Sequence, residues 1–191
     1  MVGSTGPSPE EERDCPGVVV LYNDSTRLAK GEARDMLAER GVVACAQAIA
    51  EALAGAGRRV ERLPLRGDVE EAMDPYPPAD WIVFNLAEGL DGRFFEESRI
   101  AWTLEAMGYR FTGATGDALT LSTHKGRAKV RLQEAGVPTP AWQLLRRPPG
   151  DTDGWIFPLI VKPVAEDASQ GIGPEAVVQD LAGLRARVGY V

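Results

Sequence analysis

The stretch FPLIVKPVAEDASQGIG, residues 157–173, places an apolar run, one lysine and a glycine-containing loop in direct succession. The apolar residues 159–161 predict a short buried strand, and Lys162 falls at its end because Pro163 interrupts strand pairing. Backbone N–H groups of a loop of small residues can approach phosphate oxygens closely, and a lysine adds a positive charge. The order of these residues indicates a phosphate site.

The same stretch also fits an ordinary strand end followed by a turn. Gly, Asp and Ser are favoured in turns on conformational grounds alone, and short motifs match by chance. Residues 157–173 by themselves leave both interpretations open, and the rest of the chain has to decide between them.

Length and composition limit the classes of protein to consider. The chain has 191 residues, 44% of them hydrophobic, which is enough for one large or two small domains with a core. Its net charge of −7 argues against a general nucleic-acid or anionic-membrane surface, and no apolar run approaches the ~20 residues that span a bilayer. Cys15 and Cys45 form no metal or disulfide pattern, which favours a reducing cytoplasm.

The chain up to residue 122 alternates strand and helix patterns. Residues 1–14 are polar and predict a disordered tail that is not a signal peptide. Strands are predicted at residues 17–22, 59–65 and 80–86, and amphipathic helices are predicted from Val42 to Gly55 and over 96–107. Residues 23–40 are predicted to form a loop with at most one short helix. This order predicts an α/β domain with a parallel sheet over residues 15–122.

A second pattern begins near residue 122, where we predict a domain boundary. A helix is predicted over residues 124–135, and two strands are predicted at 141–145 and 156–161, separated by a turn rich in Pro and Gly. Residues 123–191 therefore form the second predicted domain.

Lys125 lies near the N-terminus of the predicted helix 124–135. A cation there opposes the helix dipole unless an anion is also present, so Lys125 and Lys162, 162 − 125 = 37 residues apart, could hold one polyphosphate. The alternative is a solvated cationic face, since Arg127, Lys129 and Arg131 share the helix. His124 is interpreted as a surface or capping residue.

Two acidic residues follow the predicted strand 80–86. Glu88 and Asp91 lie at its carboxyl end, where open α/β sheets bind ligands. Gly89 and Gly92 also make a polar turn a sufficient explanation, and without partners for the carboxylates the turn is favoured.

Taken together, these segments resemble the ATP-grasp superfamily and, within it, the D-alanine–D-alanine ligases and their relatives. The resemblance depends on the order and spacing of five segments, which are VFNLAEG (83–89), DGRFFEE (91–97), LEAMGYRFTGAT (104–115), THKGRAKVRLQEAGVPTP (123–140) and FPLIVKPVAEDASQGIG (157–173). It implies that residues 15–122 are a pre-ATP-grasp, Rossmann-like domain. It also implies that residues 123–191 are the first, incomplete part of an ATP-grasp domain.

The resemblance further implies an ATP-dependent ligase that joins a carboxylate to an amine through an acyl phosphate. Its partners would be ATP, Mg²⁺ and small carboxylate and amine substrates such as amino acids, and a homodimer is compatible with it. Lys125 and Lys162 match the two lysines that bind the nucleotide phosphates. The matching glycine-rich loop closes over the phosphates and contributes Glu166, Ser169, Gly171 and Gly173.

The chain departs from the ligase pattern on the substrate side. Glu88 stands where the ligases usually have a histidine, and residues 167–169 are Asp, Ala and Ser where Gly-Ser-Ser is usual. The glutamate that usually follows the first strand is not recognisable in residues 23–35. We therefore keep Glu88 and Asp91 as candidate substrate residues and assign no catalytic residue.

The resemblance ends early in the ATP-grasp domain. In the resembled family the adenine hinge, the Mg²⁺ ligands and the catalytic arginine lie beyond the equivalent of Gly173. We therefore expect no metal ligands in this chain, and we expect it to be an inactive fragment of a longer ligase. Two alternatives are a non-catalytic nucleotide-binding or interaction module that keeps half of the fold, and a Rossmann-like binder of another anion.

Overall fold

The computed structural model describes residues 15–23, 35–89, 96–150, 154–165 and 172–191. The chain divides into two compact units, Met1–Ala118 and Leu119–Val191. This division lies four residues before the boundary that the sequence predicts.

A three-stranded parallel sheet forms the centre of the first unit. It consists of β1 (Gly17–Asn23), β2 (Val60–Leu65) and β3 (Trp81–Leu86), in the order β2-β1-β3. All seven residues of β1 are buried, as expected for a valine-rich strand at the centre of a parallel sheet. The predicted α/β fold with a parallel sheet is confirmed.

Among the described residues the helices that accompany this sheet are α1 (Asp35–Gly55), α2 (Val69–Met73), α3 (Glu97–Ala106) and α4 (Gly116–Thr123), the last of which spans the division between the units. Successive side chains of β1 alternate between two core clusters. Val18, Val20 and Tyr22 share one cluster with residues of α1. Val19 and Leu21 share the other with residues of α2 and α3. The described sheet is therefore covered on both faces.

One local prediction in this unit is wrong in part, and one helix was not predicted. Residues 24–34 of the predicted loop lie outside the described residues, and residues 35–40 belong to a helix. α1 begins about two turns before the apolar stripe that starts at Val42. Residues 69–73 carry no prediction, yet they form α2. Asp68 caps α2 by accepting hydrogen bonds from the backbone N–H groups of Glu70 and Glu71 at 2.8 and 3.0 Å. A five-residue helix with three apolar residues gives too little periodicity to detect.

The second unit combines helices with a small antiparallel sheet. Its elements after α4 are α5 (Lys125–Glu134), β4 (Leu159–Ile160), a 3₁₀ turn (Pro174–Ala176), β5 (Val177–Val178) and α6 (Leu181–Tyr190). The predicted strand at 141–145 is wrong, and the strand predicted at 156–161 is regular only at 159–160. Alternation alone does not make a strand, because pairing also requires a neighbour, and the described partner of β4 is β5.

Candidate functional site

The exposed Lys162 follows β4 by two residues. The backbone N–H of Val161 donates to the carbonyl of Ala176 at 2.8 Å, so the chain remains attached to the neighbouring segment up to the residue before Lys162. Val161 and Pro163 are both half-buried. Lys162 thus extends from a fixed backbone into solvent.

One side of the two-stranded sheet is apolar and exposed. Ile160 pairs with Val177 across the sheet, and these side chains are 53% and 45% exposed. Residues two apart on an extended strand lie on the same side, which places Lys162 on the side of Ile160. We call Ile160, Val177 and Lys162 the outer face of β4–β5. The other side is formed by Leu159, which is half-buried, and Val178, which is buried.

Lys125 is the first residue of α5. Its backbone N–H donates to the carbonyl of Val164 at 2.9 Å, so the start of this helix is bonded to the segment that directly follows Lys162. The structure therefore brings the backbones of the two predicted phosphate lysines into one neighbourhood, although 37 residues separate them in sequence, 162 − 125.

Backbone N–H groups at the N-terminus of α5 already donate hydrogen bonds to acceptors within the protein. His124 caps the helix, because its Nδ1 accepts from the N–H of Arg127 at 3.2 Å and its carbonyl accepts from the N–H of Ala128 at 3.0 Å. With the bond from Lys125 to Val164, three of the first four N–H groups of α5 have protein acceptors. The helix end therefore needs no bound anion for its stability, and a phosphate here would depend mainly on lysine side chains.

The predicted glycine-rich loop is described only in part. Glu166, Ser169 and Gly171 lie outside the described residues, as does Asp91. Gly173 is described and immediately precedes the 3₁₀ turn Pro174–Ala176, where its carbonyl accepts from the N–H of Ala176 at 2.9 Å. The role of the loop in binding phosphate therefore stays a prediction.

Glu88 is exposed in the segment that follows β3. Its backbone N–H donates to Oδ1 of Asn23 at 2.6 Å, and Nδ2 of Asn23 donates to the carbonyl of Gly89. Asn23 ends β1 and is only 5% exposed. Sequence reasoning missed Asn23, although a polar residue at the end of an otherwise buried strand was the available signal.

An apolar groove of about 450 Å³ lies along α5 in the second unit. Leu121, Val130, Trp142 and Leu144 are among the residues that line it, whereas Lys125 and Lys162 are not. His124 and Gly126 also line it, so the groove adjoins the start of α5 where Lys125 lies.

Within the described ranges, no group of three or more His, Cys, Asp or Glu side chains could hold a metal ion. No helix in the same part of the chain is long and apolar enough to cross a membrane.

Comparison with known proteins finds relatives among ligases. A D-alanine–D-alanine ligase of Methylobacterium radiotolerans is 34% identical over 127 residues, which are 66% of this chain and 40% of the relative. The corresponding ligase of Caulobacter sp. strain K31 is 34% identical over 65% of this chain and 38% of its own length. An uncharacterized protein of Sinorhizobium fredii, y4sG, is 36% identical over 52% of this chain and 29% of its own length.

The matched region thus spans less than half the length of these relatives. No protein-family model and no solved structure matches the chain. Several independent ligase matches cover about 65% of the chain at 32 to 34% identity. The chain is accordingly related over about 65% of its length to proteins named as D-alanine–D-alanine ligases, the relationship that the resemblance of its motifs predicts.

Proposed function

We propose that this chain supplies nucleotide-binding elements of an ATP-dependent carboxylate–amine ligase of the D-alanine–D-alanine ligase type. The observation that carries the proposal is the outer face of β4–β5, where the apolar pair Ile160 and Val177 is exposed and the exposed Lys162 follows β4 by two residues. The relationship to proteins named as ligases supports it.

A nucleotide matches the chemistry of this face. ATP combines a flat, largely apolar base with a polyphosphate, and Ile160 and Val177 offer an apolar surface beside the ammonium of Lys162. Burying apolar surface contributes about 25 cal/mol per Å², so contact with a base would stabilise binding beyond the attraction between Lys162 and phosphate. Lys125 would add a second cation, since its backbone is bonded to the segment that follows Lys162.

The proposed reaction has two steps. A substrate carboxylate oxygen attacks the γ-phosphorus of ATP, the bond to the β-phosphate oxygen breaks, and ADP leaves. The amine nitrogen then attacks the acyl carbon of the acyl phosphate, releases inorganic phosphate and loses a proton, which leaves an amide. Phosphoryl transfer depends mostly on positioning and on neutralising negative charge, which is the role we assign to Lys125 and Lys162.

Magnesium belongs to the proposal for the whole ligase, where it would neutralise phosphate charge. The described residues contain no cluster of side chains fit to hold it. We therefore assign no step in this chain to the metal.

Calorimetric titration with ATP and with inorganic tripolyphosphate tests whether Lys162 binds phosphate and whether Ile160 and Val177 contact the base. Lys162→Met keeps most of the apolar stem and removes the charge, so it should weaken both ligands about tenfold. Ile160→Ser should weaken ATP alone, because tripolyphosphate has no base. Arg146→Met is the matched control, since it removes one exposed cation from the same unit and should change neither affinity.

Equal affinities of the Lys162→Met and unmodified proteins for both ligands would overturn the phosphate assignment. ADP release that depends on added D-alanine and Mg²⁺ would separate the ligase from the alternative of a non-catalytic nucleotide-binding module. Because this chain by itself is expected to be inactive, the release is measured on a longer form of the protein that includes the expected Mg²⁺ ligands. ATP binding by that form with no such release would favour the module.

A further inference from the structure

The apolar groove along α5 has the size of a small-molecule site. Its volume is about 450 Å³, and ligand pockets commonly enclose about 300–1,000 Å³. The apolar lining comes from the end of α4, from α5 and from the segment after it, namely Leu121, Val130, Trp142 and Leu144. Leu121, Val130 and Leu144 are 37%, 44% and 46% exposed. These side chains therefore offer an apolar surface to a ligand.

Two aromatic rings border the groove near the start of α5. Gly126 is the second residue of this helix and is buried. A Cβ atom at this position would lie 3.2 Å from Cε1 of His124 and 3.6 Å from Cζ3 of Trp142. The absence of a side chain at Gly126 thus lets both rings approach the helix backbone, and both residues line the groove.

The charged residues of the groove lie on one side of α5. Arg127, Arg131 and Glu134 line it and are spaced as i, i+4 and i+7 along the helix. Nη1 of Arg131 lies 3.6 Å from Oε2 of Glu134, so these two charges compensate each other. Among the described residues, no carboxylate forms an ion pair with the exposed Arg127. One positive charge at the groove is therefore left for a ligand.

The place of Arg127 in α5 also favours an anion. Arg127 is the third residue of the helix, and the first turn contains no acidic residue. A cation in the first turn is disfavoured by the helix dipole unless a negative charge is near it. Because backbone N–H groups of this turn already donate to protein acceptors, an anion would be held by the Arg127 side chain and not by the backbone.

We propose that the groove binds a small amphipathic carboxylate, which is a molecule with one carboxylate group on an aromatic or aliphatic body. The carboxylate pairs with Arg127, whose guanidinium can donate two parallel hydrogen bonds to it. The body lies against Trp142 and Val130, where burial of apolar surface supplies most of the affinity. The site goes beyond the proposed ligase function, since neither Lys125 nor Lys162 lines it.

The dimensions favour a small molecule over a protein partner. The rise of an α-helix places Arg127 and Glu134 about 10 Å apart along the axis, which is the length of one aromatic ring with a short chain. A stable protein interface covers about 800 Å² on each partner, more than a groove of this length offers.

The test compares 4-phenylbutyrate with 4-phenylbutanamide, which has the same body and a neutral head group. Each compound is titrated into the millimolar range with the nitrogen-15-labelled protein, and binding is followed by NMR from the backbone N–H of Gly126 and the indole N–H of Trp142. We expect 4-phenylbutyrate to bind about fivefold more tightly than the amide. The indole of Trp102, which is 46% exposed in the first unit, is the internal control and should not shift. Equal affinities, no binding, or shifts at Trp102 as large as those at Trp142 would overturn the proposal.

Three variants at exposed positions assign the preference to residues. Arg127→Met removes the charge and keeps most of the apolar stem, so it should reduce the preference to about onefold and leave the affinity for the amide unchanged. Arg146→Met, the matched control, removes an exposed cation that does not line the groove and should keep the fivefold preference. Leu144→Ser should weaken both compounds about threefold, because it removes apolar lining and leaves Arg127 in place. A preference that survives Arg127→Met would overturn the assignment of the charge.

A second copy of the chain is the alternative occupant of this groove. In that case the signals of Gly126 and Trp142 would shift on dilution of the protein without any added compound, and sedimentation would show a dimer that Leu144→Ser weakens. That result would overturn the proposal. We expect instead that both signals are independent of protein concentration.

Discussion

Replacing Tyr109 by Phe removes one buried hydroxyl from the first unit and leaves the aromatic ring in the core. Tyr109 is 6% exposed and packs in the same cluster as Leu21 and Ile100. The single proton of its Oη is shared between the backbone carbonyls of Met73 and Tyr76, whose oxygens lie at 3.1 and 2.5 Å. The hydroxyl thus ties the segment after α3 to the end of α2.

The expected loss of stability follows from these contacts. A net hydrogen bond contributes about 1 kcal/mol, and a buried carbonyl left without its donor adds a comparable penalty, so Tyr109→Phe should cost about 2 kcal/mol. The substitution leaves no large cavity that would lower the stability further, since the ring remains. For a chain of this length the loss corresponds to a fall in Tm of roughly 4 to 8 °C.

The same hydroxyl predicts a dependence on alkaline pH. Burial raises the pKa of Tyr109 above its ordinary value near 10, and the charge of Asp74 raises it further. Because the folded state holds the proton more tightly, this contribution to stability is fully present below about pH 10 and is lost as the pH rises through the folded-state pKa. The stability difference between the unmodified protein and Tyr109→Phe should therefore narrow above pH 10.

Urea unfolding at pH 7 and at several values above pH 10 measures both effects. The control is Tyr190→Phe, which removes a hydroxyl from a side chain that is 70% exposed and should change stability by less than about 0.5 kcal/mol. A cost of Tyr109→Phe no larger than that of the control would refute the reasoning from the hydrogen bonds. A difference that stays constant through the alkaline range would refute the reasoning from the pKa.

Two further predictions concern α5. His124→Ala removes the acceptor for the N–H of Arg127 and should cost about 1 kcal/mol in urea unfolding, whereas His124→Asn, a better N-cap residue, should restore stability. Lys129→Met breaks hydrogen bonds from Nζ to Oγ1 of Thr139 and to the carbonyl of Pro140, at 2.6 and 3.2 Å. It should lower stability by about 1 kcal/mol in the same assay while leaving ATP affinity unchanged, and a loss of ATP affinity would place Lys129 in the nucleotide site.

The central sheet could be predicted from sequence because its strands carry strong local signals. Residues 17–22 and 80–86 are nearly continuous apolar runs, which suit strands that are covered on both faces. The end of α1 could also be predicted from sequence, since the helix stops at Gly55 and Gly57 has a φ of 78°, a conformation that favours glycine. Such features depend on neighbours in sequence, so a single chain suffices to find them.

The errors occur where structure depends on partners distant in sequence. The alternation at 141–145 resembles a strand, yet β4 pairs with residues 177–178 instead. Pairing of that kind is decided by which segments meet, and a pattern within one segment does not contain this information.

The residues of the candidate site likewise divide into those that sequence neighbours identify and those that depend on distant partners. Lys162 was identified from the strand and proline around it, all within a few residues. The hydrogen bonds of the Asn23 side chain were not predicted, because its partners Glu88 and Gly89 lie 65 and 66 residues away in sequence. That Ile160 and Val177 form an exposed pair could be recognised only from the register of the two strands.

Glu88 and Lys162 are charged residues whose side chains are exposed while the residues on either side of each are less exposed. Glu88 is exposed between the buried residues Ala87 and Gly89, and Lys162 is exposed between the half-buried Val161 and Pro163. An exposed side chain contributes little to stability, whereas its buried neighbours contribute more. Changes at the two charged positions should therefore alter binding at nearly constant stability, whereas changes at Ala87 or Val161 should alter both, because they move the backbone from which the charge extends.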